Sequence, residues 1–316
     1  MISSPHNPAT RLKDPDIDYS RFHCEFISHP EWGTLSDLTT WRIVLNTLAD
    51  QALLDFHGQQ GPFITTYPAS GFRMQLDVLT PTQTIERRIL LWGLYYSLIW
   101  SSVCEDWKGR TYTLQWDGQV VAHLSYSPPN IHPPPPVGGT VNEVFINDIE
   151  PIISNSSDSN SNSSASASTQ SQWSPSQEIS TPQPNLDRLA FSYAWGQHTY
   201  SSDGSFFFPL ADMLLRAAAH TPGDRLQGPQ WDEYGDESVL DANDWPRRQP
   251  PFFKWEHLVA GLKFMVGVAL RDGVREEWRV RISVHVPDAA LAVRVGSANL
   301  RFVGGGGEVG KGVGGE

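Results

Sequence analysis

The chain has 316 residues, 39% of them apolar, with 12 Trp and 14 Phe, which is enough for one large domain or two ordinary ones around a sizeable core. Its 23 basic and 35 acidic residues leave a formal charge of -12, which repels phosphate backbones and anionic lipid surfaces at long range and argues against nucleic acid or a membrane as partner. The opening MISSPHNPATRLKD carries no apolar run behind a positive start, so a cytosolic or nuclear location is expected, where Cys24 and Cys104 are expected as free thiols.

Composition divides the chain into an N-terminal stretch over 1–19 without structure, an α+β half over 20–127, a Pro/Ser/Asn-rich disordered linker over 128–185, a second α+β half over 186–303 and a Gly-rich tail over 304–316. In the first half RFHCEFI alternates as a strand does. Leu38, Trp41, Leu45, Leu48, Ala49 and Ala52 then recur at spacings of three and four, predicting a helix over 37–57 capped by Ser36 or Asp37 and ended by Gly58. QGPFITTYP reads as a loop, and FRMQLDVL as a half-buried strand with Phe72, Met74, Leu76 and Val78 on one face.

Thr80-Pro81-Thr82-Gln83 has the form of a capping box with proline at the first helical position, and predicts a helix running into ILLWGLYYSLIWSSV. Those fifteen uncharged residues, 89–103, fall short of the roughly 20 a membrane span requires, so the helix is expected to be buried on both sides. RTYTLQW and QVVAHLSYS flank Asp117-Gly118, the turn chemistry of a tight hairpin.

In the linker the proline run and the Ser/Asn tract bury too little apolar surface to fold. Residues 141–153, VNEVFINDIEPII, admit two readings, a strand added to a partner's sheet edge or one folded back onto this chain. Beyond it, LAFSYAW predicts a strand, PLADMLLRAAAH a helix opened by Pro209, QGPQWDEYGDE a solvated acidic loop, FKWEHLVAGLKFMVGVAL a second very apolar helix, and WRVRISVHV with LAVRV a hairpin across Pro287-Asp288.

QGPFITTY and QGPQWDEY share four residues, and the spacing gives that weight. Gln60 to Gln227 is 167 residues, and Gly93 to Gly261 and Leu114 to Ile282 are each 168. The expected fold is therefore α+β, an internal duplication of a strand-helix-loop-helix-hairpin unit packed through its two very apolar helices, although FRMQLDVL lacks a visible counterpart between Asp232 and Asp244. Each QGP loop would be structural, with Gly at an unusual φ and Tyr packed inward.

Chemistry is sparsely marked. GGGEVGKG near the C-terminus ends in Gly312 where a phosphate loop needs Ser or Thr, and no helix follows. No G-x-S-x-G elbow and no dinucleotide fingerprint of G-x-G-x-x-G after a strand appears, and none of the ten histidines lies in an H-x-H or H-E-x-x-H spacing, so neither cofactor nor metal is expected. His123, His285, Asp77, Glu105 and Asp106 are candidate acids and bases, each of which is first of all an ordinary half-buried residue. Tyr67, Trp231 and Tyr234 are candidate ligand contacts, with Trp32 and Trp107 also expected to be exposed in loops. Two functions follow: a non-catalytic interaction or regulatory protein working through the linker, or an enzyme or small-molecule binder with a cleft between the halves, lined by the QGP loops, the acidic loop and the hairpin histidines.

Overall fold

The computed structural model describes residues 20–104, 106–131, 142–145, 189–234, 238–246, 248–286 and 292–303, with backbone only at 142–145 and 232–234. The N-terminal stretch, most of the linker, the Pro287-Asp288 turn and the Gly-rich tail lie outside them. In chain order the elements are β1 (Phe22–Ser28), α1 (Asp37–Ala52), β2 (Gln59–Gln60), β3 (Phe63–Tyr67), β4 (Phe72–Val78), β5 (Ile85–Glu86), α2 (Arg87–Val103), β6 (Arg110–Trp116), β7 (Gln119–Ser127), β8 (Asn142–Phe145), β9 (Leu189–Thr199), α3 (Asp203–Ala218), β10 (Gln230–Tyr234), β11 (Ser238–Asp244), α4 (Trp255–Asp272), β12 (Glu276–Val284) and β13 (Val293–Phe302).

The fold is α+β. One sheet has the order β1-β6-β7-β4-β3-β8 and the other β9-β12-β13-β11-β10, while β2 and β5 form a separate two-stranded pair. All pairings in the two large sheets are antiparallel except β3 with β8. Taken element by element, β1-β6-β7-β4-β3 and β9-β12-β13-β11-β10 are the same arrangement. The helices lie between the sheets: α2 packs on β1 and β6, α3 on β10 and β11, and α4 on β9, β12 and β13.

Both halves contribute to one continuous hydrophobic core. Its centre is not the pair of very apolar helices, as the sequence predicts, but α1, which packs against α2, α3 and α4, with α3 in turn touching α2 and α4. Trp41 on α1 stacks on Phe207 of α3 with ring centroids 5.2 Å apart, and meets Phe208 edge-on at 5.0 Å. All three rings are at most 1% exposed. α2 and α4 each turn one face to their own sheet.

Several local expectations are corrected. The Thr80 to Gln83 motif forms a turn, and α2 begins only at Arg87. Thr80 Oγ1 donates to the Thr84 carbonyl at 2.7 Å and Gln83 takes φ 53°, so the polar side chains close a left-handed bend instead of capping a helix. α1 is capped by Ser36, which accepts the Thr39 N–H, but ends at Ala52. α3 starts six residues ahead of Pro209, with Ser202 accepting the Ser205 N–H. A proline inside a helix costs about 3 kcal/mol, and burial of Phe206, Phe207 and Phe208 at roughly 1.5–3 kcal/mol each offsets it.

The QGP stretches lead into strands, β3 and β10, and the acidic stretch continues as β11 instead of a solvated loop. β11 occupies in the second sheet the place that β4 holds in the first, which supplies the counterpart the sequence lacks. Gly228 sits at φ 70° but Gly61 does not share that conformation, so the two loops are not alike in detail. β4 is buried on both faces, not one. The Asp117-Gly118 hairpin is as expected, with φ 51° and 75°.

Candidate site on the outer face of the first sheet

Alternation along β4 sends Phe72, Met74, Leu76 and Val78 into the core and Arg73, Gln75 and Asp77 to the opposite face of the sheet. Register then decides their neighbours. Asp77 lies opposite His123 on β7, and His123 opposite Thr113 on β6, which in turn faces Glu25 on β1. One row of polar side chains thus crosses four strands. Gln75, Ser125, Thr111 and Ile27 form the next row.

Asp77 is 7% exposed and Gln75 1%. Gln75 Nε2 donates to both carboxylate oxygens of Asp77, at 2.8 and 3.0 Å, and Arg73 Nη2 donates to Gln75 Oε1 at 3.4 Å. Burial pushes the Asp77 carboxyl above its ordinary pKa, against the bonds from Gln75 and the charges of His123 and Arg73. Burial also lowers the His123 pKa, against the pull of Asp77. The two groups are thus driven toward their neutral forms, with Thr113 Oγ1 3.3 Å from His123 Nδ1. Chemically the row is able to hold or pass one proton, or to bind a polar group. Thr111 Oγ1 extends it through Ser125 Oγ at 3.1 Å and His29 Nε2 at 3.3 Å, and His29 stacks on Trp32 at 3.9 Å.

The other predicted residues do not join this row. Asp106 pairs with the buried Arg110 at 3.0 Å and with Lys108, which gives its charge a structural use. Glu105 lies outside the described residues, as does the Tyr234 side chain. His285 follows β12 in the other sheet and is exposed. Tyr67 is buried against Phe72 in the core. Trp231 is 58% exposed on the edge strand β10. Trp32 and Trp107, expected to be exposed, are only partly so, and Trp107 packs 6.1 Å from Trp41.

Gln75, Thr113, Ser125 and Arg73 escaped the sequence reading. For Gln75 and Arg73 the signal was the second face of FRMQLDVL, which looks like a solvent face until β4 is known to be central. Cys24 and Cys104 are free thiols, and burial raises the Cys24 pKa to about 12. Among the described residues no group of three or more His, Cys, Asp and Glu is placed to hold a metal, and no helix is long and apolar enough to cross a membrane.

Neither a family model nor a curated protein matches the chain. Among solved structures it is similar to the tandem DUF26 ectodomain of a cysteine-rich receptor-like protein from Arabidopsis thaliana, at 10% identity and a TM-score of 0.23, over 89% of this chain and 97% of that one. The expected cytosolic or nuclear location is corrected by this match, since the matched protein is an ectodomain. A likeness at that TM-score carries no location in its place, and none is assigned.

Proposed function

We propose that this chain is a non-catalytic interaction protein, built from a duplicated α+β unit, whose working surfaces are the outer sheet faces and the segment 128–185. The observation that carries this reading is the filled centre. Trp41, Phe207 and Phe208 pack between the halves at most 1% exposed, while Asp77 and His123 pair in one sheet and His285 follows a strand of the other. Duplication is supported by contacts as well as order. Ser36 and Ser202, 166 residues apart, make the same cap. Gly93 faces Leu114 and Gly261 faces Ile282, each pair displaced by 168 residues from the other.

Within 128–185, residues 142–145 run parallel to β3 over four pairs. So short a pairing is exchangeable for a partner's strand. Deleting 128–185 is expected to leave the melting temperature within a few degrees and to abolish recovery of a partner that the full chain captures. Undiminished recovery of that partner by the deleted chain would refute the reading. A second reading, a small-molecule site at the Asp77 and His123 row, is favoured by their opposed pKa shifts. It ranks second because Asp77 is so enclosed.

A further inference from the structure

The outer face of the second sheet sets a polar floor beside an exposed tryptophan. Trp231 on β10 lies opposite Asp241 on β11, Asp241 opposite Asn299 on β13, and Asn299 opposite Arg279 on β12. Residues directly opposite in an antiparallel pair share a face, and Leu240, Ala298, Leu300, Trp278 and Val280 on the same strands belong to the core, so this row of four faces outward. Asp241 and Asn299 are 9% and 8% exposed, whereas Trp231 is 58% exposed and Arg279 is also exposed. Three steps between strands, at about 4.8 Å each, make the row about 14 Å long.

The floor is held in place, and part of its hydrogen-bonding capacity is left over. Asp241 accepts from Asn243 Nδ2 at 2.7 Å and Asn299 Nδ2 at 2.6 Å, and pairs with Arg301 at 2.8 Å. Arg279 Nε donates to Asn299 Oδ1 at 2.8 Å. Asn243 Oδ1 and the two Nη groups of Arg279 have no hydrogen-bond partner among the described residues. The Trp231 carbonyl accepts from Arg216 Nη1 at 2.9 Å, which fixes the edge strand that carries the ring. The first sheet has a related pair: Gln75 and Asp77 precede Asp241 and Asn243 by 166 residues, and there too the amide donates to the carboxylate two residues away. Ile64 faces Gln75 as Trp231 faces Asp241, but Ile64 is 8% exposed with β8 beside its strand. Of the two pairs, the second is the one with an exposed aromatic ring next to it.

We propose that Trp231, Asp241, Asn243, Asn299 and Arg279 form a binding site for a straight, neutral oligosaccharide of β-1,4-linked pyranoses. A pyranose chair with equatorial hydroxyls has an apolar C–H face and a polar rim. The indole of Trp231 takes the face, and apolar area is removed from water on both sides. The rim hydroxyls both donate and accept, so they match the Asn243 and Asp241 oxygens on one side and the Arg279 fork on the other. Because the floor side chains already hold one another, ordering them costs little on binding. The β-1,4 linkage keeps successive rings in line, as the row is, whereas an α-1,4 linkage curves away from it. A formal charge of -12 raises no long-range barrier to an uncharged ligand, and it opposes nucleic acid, the other polymer whose rings would stack on Trp231. The proposal rests on the reading of the outer sheet faces as working surfaces but not on the segment 128–185, so the two fail separately.

The test is calorimetric titration of the full chain with cellotetraose, chitotetraose, maltotetraose and adenosine. Saturable binding of cellotetraose or chitotetraose is expected, with maltotetraose at least about tenfold weaker. Trp231→Ala is expected to weaken the binding at least about tenfold, and Arg279→Ala to weaken it as well. Both side chains are exposed, so their loss leaves the fold intact. Ile27→Ala removes a side chain that is 60% exposed on the other sheet, and is expected to change nothing. The proposal fails if neither β-linked tetraose binds saturably, if maltotetraose binds as tightly, if Trp231→Ala or Arg279→Ala binds like the parent chain, if Ile27→Ala weakens binding equally, or if adenosine alone binds.

Discussion

His257 sits in the first turn of α4, 8% exposed, where its Nδ1 accepts the Lys254 N–H at 3.3 Å. Two influences on it conflict. Glu256 Oε1 lies 3.7 Å from Nε2 and would favour a charged ring, but Lys254 already pairs with that oxygen at 3.1 Å. Burial wins, followed by repulsion from Lys254, and lowers the His257 pKa to about 4. An unfolded histidine titrates near 6.5. Between these values the unfolded chain binds the proton and the folded chain does not, so stability is fully present above pH 6.5 and is lost as pH falls toward 4. The loss is on the order of 3 kcal/mol. His257→Asn keeps an acceptor for Lys254 without a titrating ring, and should flatten much of that slope in urea midpoints measured from pH 7 to 4. His123, also shifted downward, leaves a residual slope of the same sign. An unchanged slope in His257→Asn would show that the ring is charged in the fold.

At the scale of elements, the glycines on α2 and α4 explain how closely each helix approaches its sheet. A Cβ on Gly261 would come within 2.5 Å of Ile282 Cδ1, and one on Gly93 within 2.9 Å of both Leu114 methyl groups. Alanine in a helix gains up to about 1 kcal/mol over glycine, and overpacking costs about 1–3 kcal/mol. Both Gly93→Ala and Gly261→Ala are therefore expected to be net destabilising, by about 1 kcal/mol. Ile282→Val removes the clashing Cδ1, so the Gly261→Ala and Ile282→Val pair should be more stable than additive costs imply. A double-mutant cycle with no coupling would contradict this packing.

Those glycines were legible as a spacing, and so were the elements with clean periodicity: β1, β4, α1, α4 and the β6 to β7 hairpin. Other elements were hidden for physical reasons. β10 and β11 are rich in Asp, Asn and Glu, which strands disfavour, and their pairing to one another and of β11 to β13 overrides that preference. The Thr80 to Gln83 motif carried true capping chemistry that a turn also uses. Asp77 and His123 were individually visible as titratable residues, but their adjacency depends on β4 pairing with β7, a contact across β5, α2 and β6 that no local pattern encodes.

For the whole molecule, the central claim is that two similar halves fold as one body around a filled centre, leaving function to the outward faces. The hydrophobic core is continuous across α1 and α3, and Asp50 on α1 pairs with Lys263 on α4 at 2.5 Å at its rim. Trp41 is fully buried and belongs to the first half, yet its closest ring partners, Phe207 and Phe208, belong to the second. Trp41→Ala should cost about 3–5 kcal/mol, and a shared core requires that both halves feel the loss. The most direct measurement is urea unfolding of Trp41→Ala followed by methyl NMR signals of Leu114 and Ile282, one reporter in each sheet. The two signals are predicted to disappear together, at a midpoint well below that of the parent chain. A Leu114 signal that melts early while Ile282 keeps the parent midpoint would mean two independent bodies, and would return the search for a site to the space between them.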